Sequence, residues 1–229
     1  MGFIYSTSTL LMRGALHLFG DWKVEGIECV PPKGPLLIVS NHQSNIDPPL
    51  LSASIPRPIN FMAKRGLFHN PVASQFLKAY GAFPLNLTGA NWGAIQRSVE
   101  LLSRDAAMAI FPEGTRSPGA MRKAMPGIAL VALRSGAPIL PIGITGTETI
   151  GPLWQVAIPK GRFRVKIGQP FSVPLMDGRV GRGQLEAITT MIMERVAALL
   201  PESYTGVYSR RENSSAQGQV DLEPGNGRK

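Results

Sequence analysis

The chain has 229 residues, which is enough for one substantial hydrophobic core and does not require two domains. Its formal net charge of +9 and its isoelectric point of about 10.1 favour anionic partners, but charge alone does not choose among nucleic acid, anionic lipid and phosphorylated substrates. The single cysteine, Cys29, excludes an internal disulfide and favours a reducing compartment.

The first 21 residues are rich in apolar side chains but do not resemble a membrane span. Arg13, His17 and several Ser and Thr residues interrupt them, so no run approaches the roughly 20 apolar residues of a spanning helix. A signal peptide is not predicted either. One helix face that excludes Arg13 and His17 can hold Leu11, Ala15, Leu18 and Phe19. Two interpretations stay open: an amphipathic helix over residues 1–21 on a membrane surface, or a first helix packed on the core.

Farther along the chain, strand and helix patterns alternate. Short apolar runs between Gly, Pro and polar residues predict strands at 34–40, 58–64, 82–87, 106–111 and 138–145, and an alternating run predicts one at 163–171. Helical spacing of apolar residues and terminal glycines predict helices at 71–81, 91–105, 127–136 and 185–200. We therefore expect a single α/β domain over residues 22–207, with a mixed, largely parallel sheet flanked by helices. The polar residues 208–229 are expected to be a disordered tail.

Two polar segments come at the ends of predicted strands. The sequence NHQSNID occupies residues 41–47, and FPEGTRS occupies residues 111–117. Ligands of α/β proteins bind beyond the carboxyl ends of the strands, and parallel strands end at the same edge of a sheet. We therefore expect the two segments to form one site.

His42 and Asp47 are a candidate acid–base pair. A histidine can take a proton from a hydroxyl, and a carboxylate on its other ring nitrogen fixes the tautomer. Positions five apart diverge by about 140° on a helix, so the pair requires a tight turn. The spacing is a weak signal by itself, because a random match is expected about once in six such sequences. The alternative is that Asp47 caps a helix that begins at Pro48.

The segment 111–117 has residues suited to binding a phosphate. Gly114 allows a close backbone approach, Arg116 can hold phosphate in a bidentate fork, and Glu113 can hold Arg116 or bind a substrate hydroxyl. The alternative is a polar turn with a local ion pair. The sequence has no G-x-S-x-G motif, no glycine-rich phosphate loop and no metal-ligand spacing. If the protein is an enzyme, the simplest scheme is a histidine base acting on the substrate's own hydroxyl.

Three ordered segments together resemble the glycerolipid acyltransferases, in particular the 1-acyl-glycerol-3-phosphate (lysophosphatidate) acyltransferase family. NHQSNID fits the family's first motif, N-H-x-S-x-x-D, and FPEGTRS is the same as its third. APILPIGI supplies the proline-rich fourth motif between Pro138 and Pro141. The lead-in VEGIECVPPKGPLLIVSNH is also similar, so the resemblance covers about residues 24–171.

The resemblance implies acyl transfer from acyl-CoA or an acyl carrier protein to the hydroxyl of lysophosphatidate, a step of phospholipid biosynthesis. It implies His42 as general base and Asp47 as its partner, without an acyl-enzyme, a metal or a bound cofactor. It assigns substrate binding to Lys64, Glu113, Gly114, Thr115 and Arg116, and support of the turn to Asn41 and Ser44. A basic surface and an apolar first helix suit a peripheral protein on the cytoplasmic face of a membrane.

The second motif departs from the family pattern. AKRGLFHNP has Gly66 where a glutamate is frequent, and GAFPLNL has Leu87 where an arginine is expected. The residues that could compensate are Lys64, Arg65, Arg122 and Lys123. One alternative is therefore the same chemistry on another acceptor, such as glycerol 3-phosphate, another lysolipid or an amino-acid lipid. A second is a non-enzymatic binder of anionic membranes or nucleic acid, which the intact motifs disfavour, so that no nucleic-acid partner is expected.

Overall fold

The computed structural model describes residues 2–85, 92–174 and 180–209. Within these ranges, seven strands form one sheet in the spatial order β1-β7-β6-β2-β5-β3-β4. The strands are Asp21–Glu25 (β1), Leu36–Ser40 (β2), Ile59–Lys64 (β3), Ala82–Leu85 (β4), Ala107–Ile110 (β5), Ile139–Thr145 (β6) and Arg162–Ile167 (β7). The helices are Phe3–Phe19 (α1), Asp47–Ser54 (α2), Pro71–Ala79 (α3), Trp92–Ser103 (α4), Gly127–Ser135 (α5), Arg182–Ala197 (α6) and Glu202–Thr205 (α7).

The sheet is parallel at every pairing except that of β6 with β7. This confirms the predicted mixed, largely parallel α/β fold, and each of the six predicted strands overlaps an observed one. Strand β1 was not predicted. It has only five residues, DWKVE, and its charged residues at alternate positions are exposed on an edge strand, so no apolar run marks it.

Helices cover the sheet on both faces. The apolar side chains of α1, α2 and α3 belong to the core on the sheet face that carries Leu36 and Ile38, whereas those of α4, α5 and α6 belong to the core on the face that carries Leu37 and Val39. All five residues of β2 are buried because this central strand serves both cores. Its continuous apolar sequence follows from this two-sided burial.

Helix α1 packs on the core with one side and exposes apolar residues on the other. Leu16 is completely buried, and Tyr5 and Met12 are also buried against the core. The opposite side of the same helix exposes a row of large apolar side chains: Phe3, Ile4, Leu10, Leu11 and Leu18. None of the helices in the described ranges is long and apolar enough to cross a membrane.

Two local expectations were wrong. Asp47 is the first residue of α2 rather than its cap, which is Ile46. The Asp47 carboxylate instead accepts hydrogen bonds from the residues that precede it, so it cannot reach the free amides of the helix. Tyr208, which was assigned to the tail, is 8% exposed and packs in the core beside α5 and α6. Residues 210–229 and the predicted family position Leu87 lie outside the described residues.

Candidate active site

The two polar segments meet at one edge of the sheet. Strand β2 lies between β5 and β6 and is parallel to both, so all three end at the same edge. His42 follows β2, and the backbone N–H of Ser117 donates a 2.7 Å hydrogen bond to the His42 carbonyl oxygen. The expected juxtaposition of segments 41–47 and 111–117 is therefore present.

His42 and Asp47 form a close pair. The imidazole Nδ1 lies 2.7 Å from the Asp47 Oδ2 atom. In a neutral imidazole, a carboxylate beside Nδ1 favours the tautomer that carries the proton on that nitrogen, which leaves the lone pair on Nε2. The His42 side chain remains 18% exposed whereas Asp47 is completely buried. The ring also stacks on Phe111, with 4.3 Å between ring centroids and 25° between planes. The imidazole is thus fixed in orientation while one edge reaches solvent.

A single oxygen atom of Asp47 organises the turn. Besides the His42 ring, Oδ2 accepts hydrogen bonds from the backbone N–H groups of Gln43 at 2.7 Å and Ser44 at 2.8 Å. The Ser44 hydroxyl donates to the Ile150 carbonyl at 2.7 Å. His42 and Asp47 can therefore touch although they are five positions apart, because the chain turns around the carboxylate.

Asn41 ties the start of the turn to the neighbouring strand. Its side-chain amide donates to the carbonyl of Ile144, and its side-chain oxygen accepts from the Ile144 N–H, both at 2.8 Å. This reciprocal pair extends the contact between β2 and β6 by one side chain. Asn41 is 1% exposed, so it fixes the backbone directly before His42.

Glu113 joins the turn to the second segment. One carboxylate oxygen accepts from the His42 N–H at 3.0 Å, and the other accepts from the Arg122 N–H at 2.8 Å. Burial raises the pKa of Glu113 above its ordinary value of 4.5, and the two backbone donors oppose that rise. The Glu113 carboxylate is therefore not engaged by the predicted ion pair with Arg116. Its two oxygens accept hydrogen bonds from backbone N–H groups instead.

The other predicted binding residues are open to solvent at the same edge. Gly114 closes a tight turn, in which its N–H donates a hydrogen bond to the Phe111 carbonyl oxygen. Its φ of 68° is in the left-handed region, which favours glycine. Thr115 and Arg116 follow it and are exposed. Lys64 is exposed at the end of β3, which is the strand beyond β5. Their charged and polar ends are available to a ligand at this edge.

A C-terminal segment that sequence reasoning missed supports the loop of residues 111–126. The N–H of Met121 donates to the Tyr204 carbonyl at 2.9 Å, and the N–H of Ala124 donates to the Tyr208 hydroxyl at 2.9 Å. Only the apolar residues Val207 and Tyr208 at the start of an otherwise polar tail could have signalled this contact. Among the described residues, no group of three or more His, Cys, Asp or Glu side chains is placed to hold a metal ion.

Comparisons with known proteins agree with this arrangement. The profile of the family described as Acyltransferase matches residues 21–145. The chain is 32% identical over 161 residues to the chloroplastic 1-acyl-sn-glycerol-3-phosphate acyltransferase of Arabidopsis thaliana, an alignment that covers 68% of this chain and 45% of that one. It is 27% identical over 197 residues to the 1-acyl-sn-glycerol-3-phosphate acyltransferase of Bacillus subtilis, covering 86% of this chain and 96% of the relative. The chain thus spans less than half of the plant protein but nearly all of the bacterial one.

The fold has a relative among solved structures. The 1-acyl-sn-glycerophosphate (LPA) acyltransferase of Thermotoga maritima superimposes with a TM-score of 0.65 and 23% identity, over 95% of this chain and 81% of that one. At this identity the likeness concerns the fold. The family match covers more than half of the sequence and includes both segments that meet at the sheet edge. The chain therefore belongs to the acyltransferase family, as the resemblance of its motifs predicted.

Proposed function

We propose that the protein transfers a fatty acyl group from a thioester donor, acyl-CoA or an acyl carrier protein, to the free hydroxyl of lysophosphatidate. The observation that carries this proposal is the 2.7 Å contact between His42 Nδ1 and Asp47, on a histidine side chain that is partly exposed. This contact favours the neutral tautomer in which Nε2 can accept a proton. The names of the relatives from Arabidopsis thaliana and Bacillus subtilis support the choice of acceptor.

In the proposed reaction, His42 Nε2 takes the proton from the acceptor hydroxyl as its oxygen attacks the thioester carbonyl. Collapse of the tetrahedral intermediate breaks the carbon–sulfur bond, and the leaving thiolate recovers the proton from the imidazolium. The products are an ester and a free thiol, so the atoms balance without an acyl-enzyme. Asp47 stabilises the imidazolium formed midway and keeps the reactive tautomer.

The acceptor phosphate is assigned to Arg116 and Lys64. Both side chains are exposed at the edge that carries His42, and a guanidinium suits a phosphate because it donates two parallel hydrogen bonds. Gly114 and Thr115 shape the turn that presents Arg116. Glu113 acts as a positioning residue, since its carboxylate links the backbones of His42 and Arg122.

The same chemistry on another acceptor is the second candidate function. The observation that favours it is Leu87, which stands where the family pattern has an arginine. Loss of one phosphate-binding guanidinium would weaken selection for a phosphomonoester acceptor. The acceptors to compare are lysophosphatidate, glycerol 3-phosphate, another lysolipid and an amino-acid lipid.

We also propose that α1 places the protein on the cytoplasmic face of a membrane as a peripheral protein. The exposed row on α1 includes Phe3 at 83%, Leu10 at 69% and Leu18 at 74% exposure. Burying such side chains in a bilayer interface is favourable by about 1.5–3 kcal/mol each. Replacing Leu10, Leu11 and Leu18 by Ser is expected to reduce vesicle co-sedimentation, and because none of the three is buried the fold is retained. Unchanged co-sedimentation would contradict this placement.

The deciding experiment measures acyl transfer by the purified protein with labelled acyl-CoA and acyl carrier protein donors and the four acceptors. His42→Ala is compared with His17→Gln, which changes an exposed histidine away from the site. We expect activity on lysophosphatidate that is lost in His42→Ala and kept in His17→Gln. Activity in folded His42→Ala protein would refute the general base, and activity confined to another acceptor would refute the substrate while keeping the chemistry.

A further inference from the structure

Carboxylates are distributed unevenly along the chain. All 15 Asp and Glu residues lie outside 1–20 and 48–99. In the fold, helices α1, α2 and α3, which form one layer, carry a single carboxylate, and this is Asp47 inside the candidate site. On the opposite layer, α4 carries Glu100 and α6 carries Glu186 and Glu194. The layer with α1 and α3 is therefore the one on which cations face solvent without nearby acidic neighbours on the same helices.

This layer also exposes apolar residues beyond α1. Leu67 is 53% exposed, Val72 is 78% exposed and Phe76 is 46% exposed. They lie on α3 and on the 3₁₀ helix Arg65–Phe68 that precedes it. Helix α3 contacts α1, and the rings of Tyr5 and Tyr80 pack with centroids 5.2 Å apart between them. The apolar surface of α1 thus has a neighbour of the same character on α3.

A basic pocket opens beside these apolar residues. It has a volume of about 440 Å³ and is lined by Arg65, Phe68, His69, Ser74, Lys78 and Pro84. Arg65, His69 and Lys78 are exposed, and in the described part of the chain no carboxylate forms an ion pair with any of them. Apart from Arg65, which was named above as one possible substitute for the arginine missing at Leu87, none of the lining residues is assigned to catalysis or to the acceptor. Three cationic or protonatable groups and a hydroxyl around one cavity match the chemistry of a phosphate.

We propose that this pocket binds the phosphate headgroup of an anionic phospholipid in the membrane on which the protein lies, as a second lipid site separate from that of the acceptor. The inference rests on the proposed membrane association through α1. The exposed apolar residues on α3 and the 3₁₀ helix favour a bilayer over a soluble polyanion, because they would enter the interface as the cations reach the headgroups.

The pocket lies at the edge of the sheet that carries His42. Arg65 follows the last residue of β3, and β3 is separated from β2 by β5 alone. With about 4.8 Å between neighbouring strands, the two strand ends are about 10 Å apart. A headgroup in the pocket would therefore hold the catalytic edge against the membrane surface, where a lipid acceptor resides.

The test uses the full chain and vesicles of a neutral, phosphate-free galactolipid. One set is doped with phosphatidylglycerol, and another is doped with oleic acid to the same surface potential. The double variant Arg65→Ser/Lys78→Ser is compared with Lys23→Ser/Lys166→Ser, which removes two exposed cations from the opposite sheet face. We expect the first variant to lose roughly 25-fold in affinity for phosphatidylglycerol vesicles, since each cation near an anionic surface contributes about fivefold. The control is expected to bind nearly as well as the wild type.

A pocket differs from diffuse attraction in its response to shape and headgroup. Ser74→Leu fills the cavity without a change of charge, so it should weaken binding to phosphatidylglycerol vesicles several-fold and leave binding to oleate vesicles unchanged. Equal losses on both vesicle types, or equal effects of both double variants, would overturn the proposal. Weaker binding of the α1 variant to both vesicle types, with the preference for phosphatidylglycerol retained, would support both sites. Unchanged binding of that variant would overturn the membrane placement on which the role of the pocket rests.

Two further probes separate the possible sources of phosphate. Inorganic phosphate is titrated while the His69 ring is followed by NMR, and a duplex oligonucleotide is used as a competitor. Weak displacement by inorganic phosphate, with vesicles bound far more tightly, supports a headgroup site. Two results would overturn the headgroup site. In the first, inorganic phosphate saturates the pocket but Arg65→Ser/Lys78→Ser binds vesicles like the wild type. In the second, Arg65→Ser/Lys78→Ser loses binding to the oligonucleotide and keeps its binding to vesicles.

Discussion

The two halves of the candidate site are built differently. The contacts of the His42–Asp47 pair are local to the turn of residues 41–47, since one Asp47 oxygen receives the His42 ring and two backbone amides of that turn. Asn41 and Ser44 also anchor the turn to the backbone of Ile144 and Ile150. The loop of residues 111–126 is held from outside, by the backbone of Tyr204 and the hydroxyl of Tyr208. Glu113 connects the two.

This difference determines how each half should respond to mutation. A change within the turn acts on the reacting groups themselves, so it should alter turnover and leave most of the fold intact. A change in the supports of the loop acts at a distance, so it should reduce stability and substrate binding first. We expect effects that decrease from Asp47→Asn through Glu113→Gln and Gly206→Ala to Tyr208→Phe.

Asp47→Asn should have the largest effect. The amide keeps an oxygen that can accept from the backbone of Gln43 and Ser44, so the turn is retained. In the proposed mechanism it removes the negative charge that stabilises the imidazolium of His42, so we expect kcat to fall on the order of 10³-fold with little change in melting temperature. Steady-state kinetics and a thermal melt on the same sample check this. A melting temperature that falls in step with kcat would indicate a structural role only.

Glu113→Gln tests the bridge between the halves. Glutamine offers one acceptor oxygen, so either the His42 or the Arg122 N–H loses its partner, which costs about 1–3 kcal/mol of unfolding free energy. We expect kcat to fall about tenfold to a hundredfold because the backbone of His42 moves. Chemical denaturation and kinetics on both proteins give the comparison. A stable variant with an unchanged kcat would remove the positioning role.

The same pair of proteins gives a pH test. Because burial raises the Glu113 pKa above 4.5, the folded protein holds this proton more tightly than the unfolded chain does. The stability that Glu113 contributes is therefore fully present below pH 4.5 and falls as the pH rises through its higher folded value. The stability of the wild type relative to Glu113→Gln should decrease in that direction. A relative stability that rises with pH would show that the pKa is lowered instead.

The division between local and distant support also explains what the sequence could predict. The contact between His42 and Asp47 could be predicted because the contacts of their turn are local and its motif is short. Strands β2, β5 and β6 were predicted because burial on both faces leaves continuous apolar runs. Strand β7 was predicted from its alternating pattern. The exposed edge strand β1 leaves no such run.

The role of Glu113 could not be read from its neighbours in sequence. Arg116, three residues away, suggested a local ion pair, whereas the actual partners are amides at His42, 71 residues earlier, and at Arg122, nine residues later. The burial of Tyr208 was missed for the same reason, since its partner Ala124 is distant in sequence. A polar composition predicts that a segment cannot form its own core, but it does not reveal one aromatic side chain that enters the core of another segment.

Gly206→Ala tests the distant support of the loop. Gly206 has a φ of 53° and a ψ of −125°, a backbone region used almost only by glycine. A Cβ atom there would clash with the Met121 carbonyl oxygen, so the loop would have to move. We expect a loss of about 1–3 kcal/mol in unfolding free energy and a rise in the KM for the acceptor that exceeds the fall in kcat. Gly183→Ala, with open space around its Cβ position, is the control.

Tyr208→Phe should have the smallest effect and is the most selective. It removes one oxygen and leaves the ring in the core, so the Ala124 N–H loses its partner without a large cavity. We expect a loss of about 1–2 kcal/mol in unfolding free energy and a KM increase of a few-fold, because Ala124 lies in the loop that presents Arg116. Tyr204→Phe is the matched control, since that hydroxyl donates to Glu148 while the Tyr204 carbonyl keeps its bond to Met121. If both variants lose stability equally but only Tyr208→Phe raises KM, the C-terminal segment positions the binding loop. Equal KM values in the two variants would mean that the C-terminal segment contributes to stability alone.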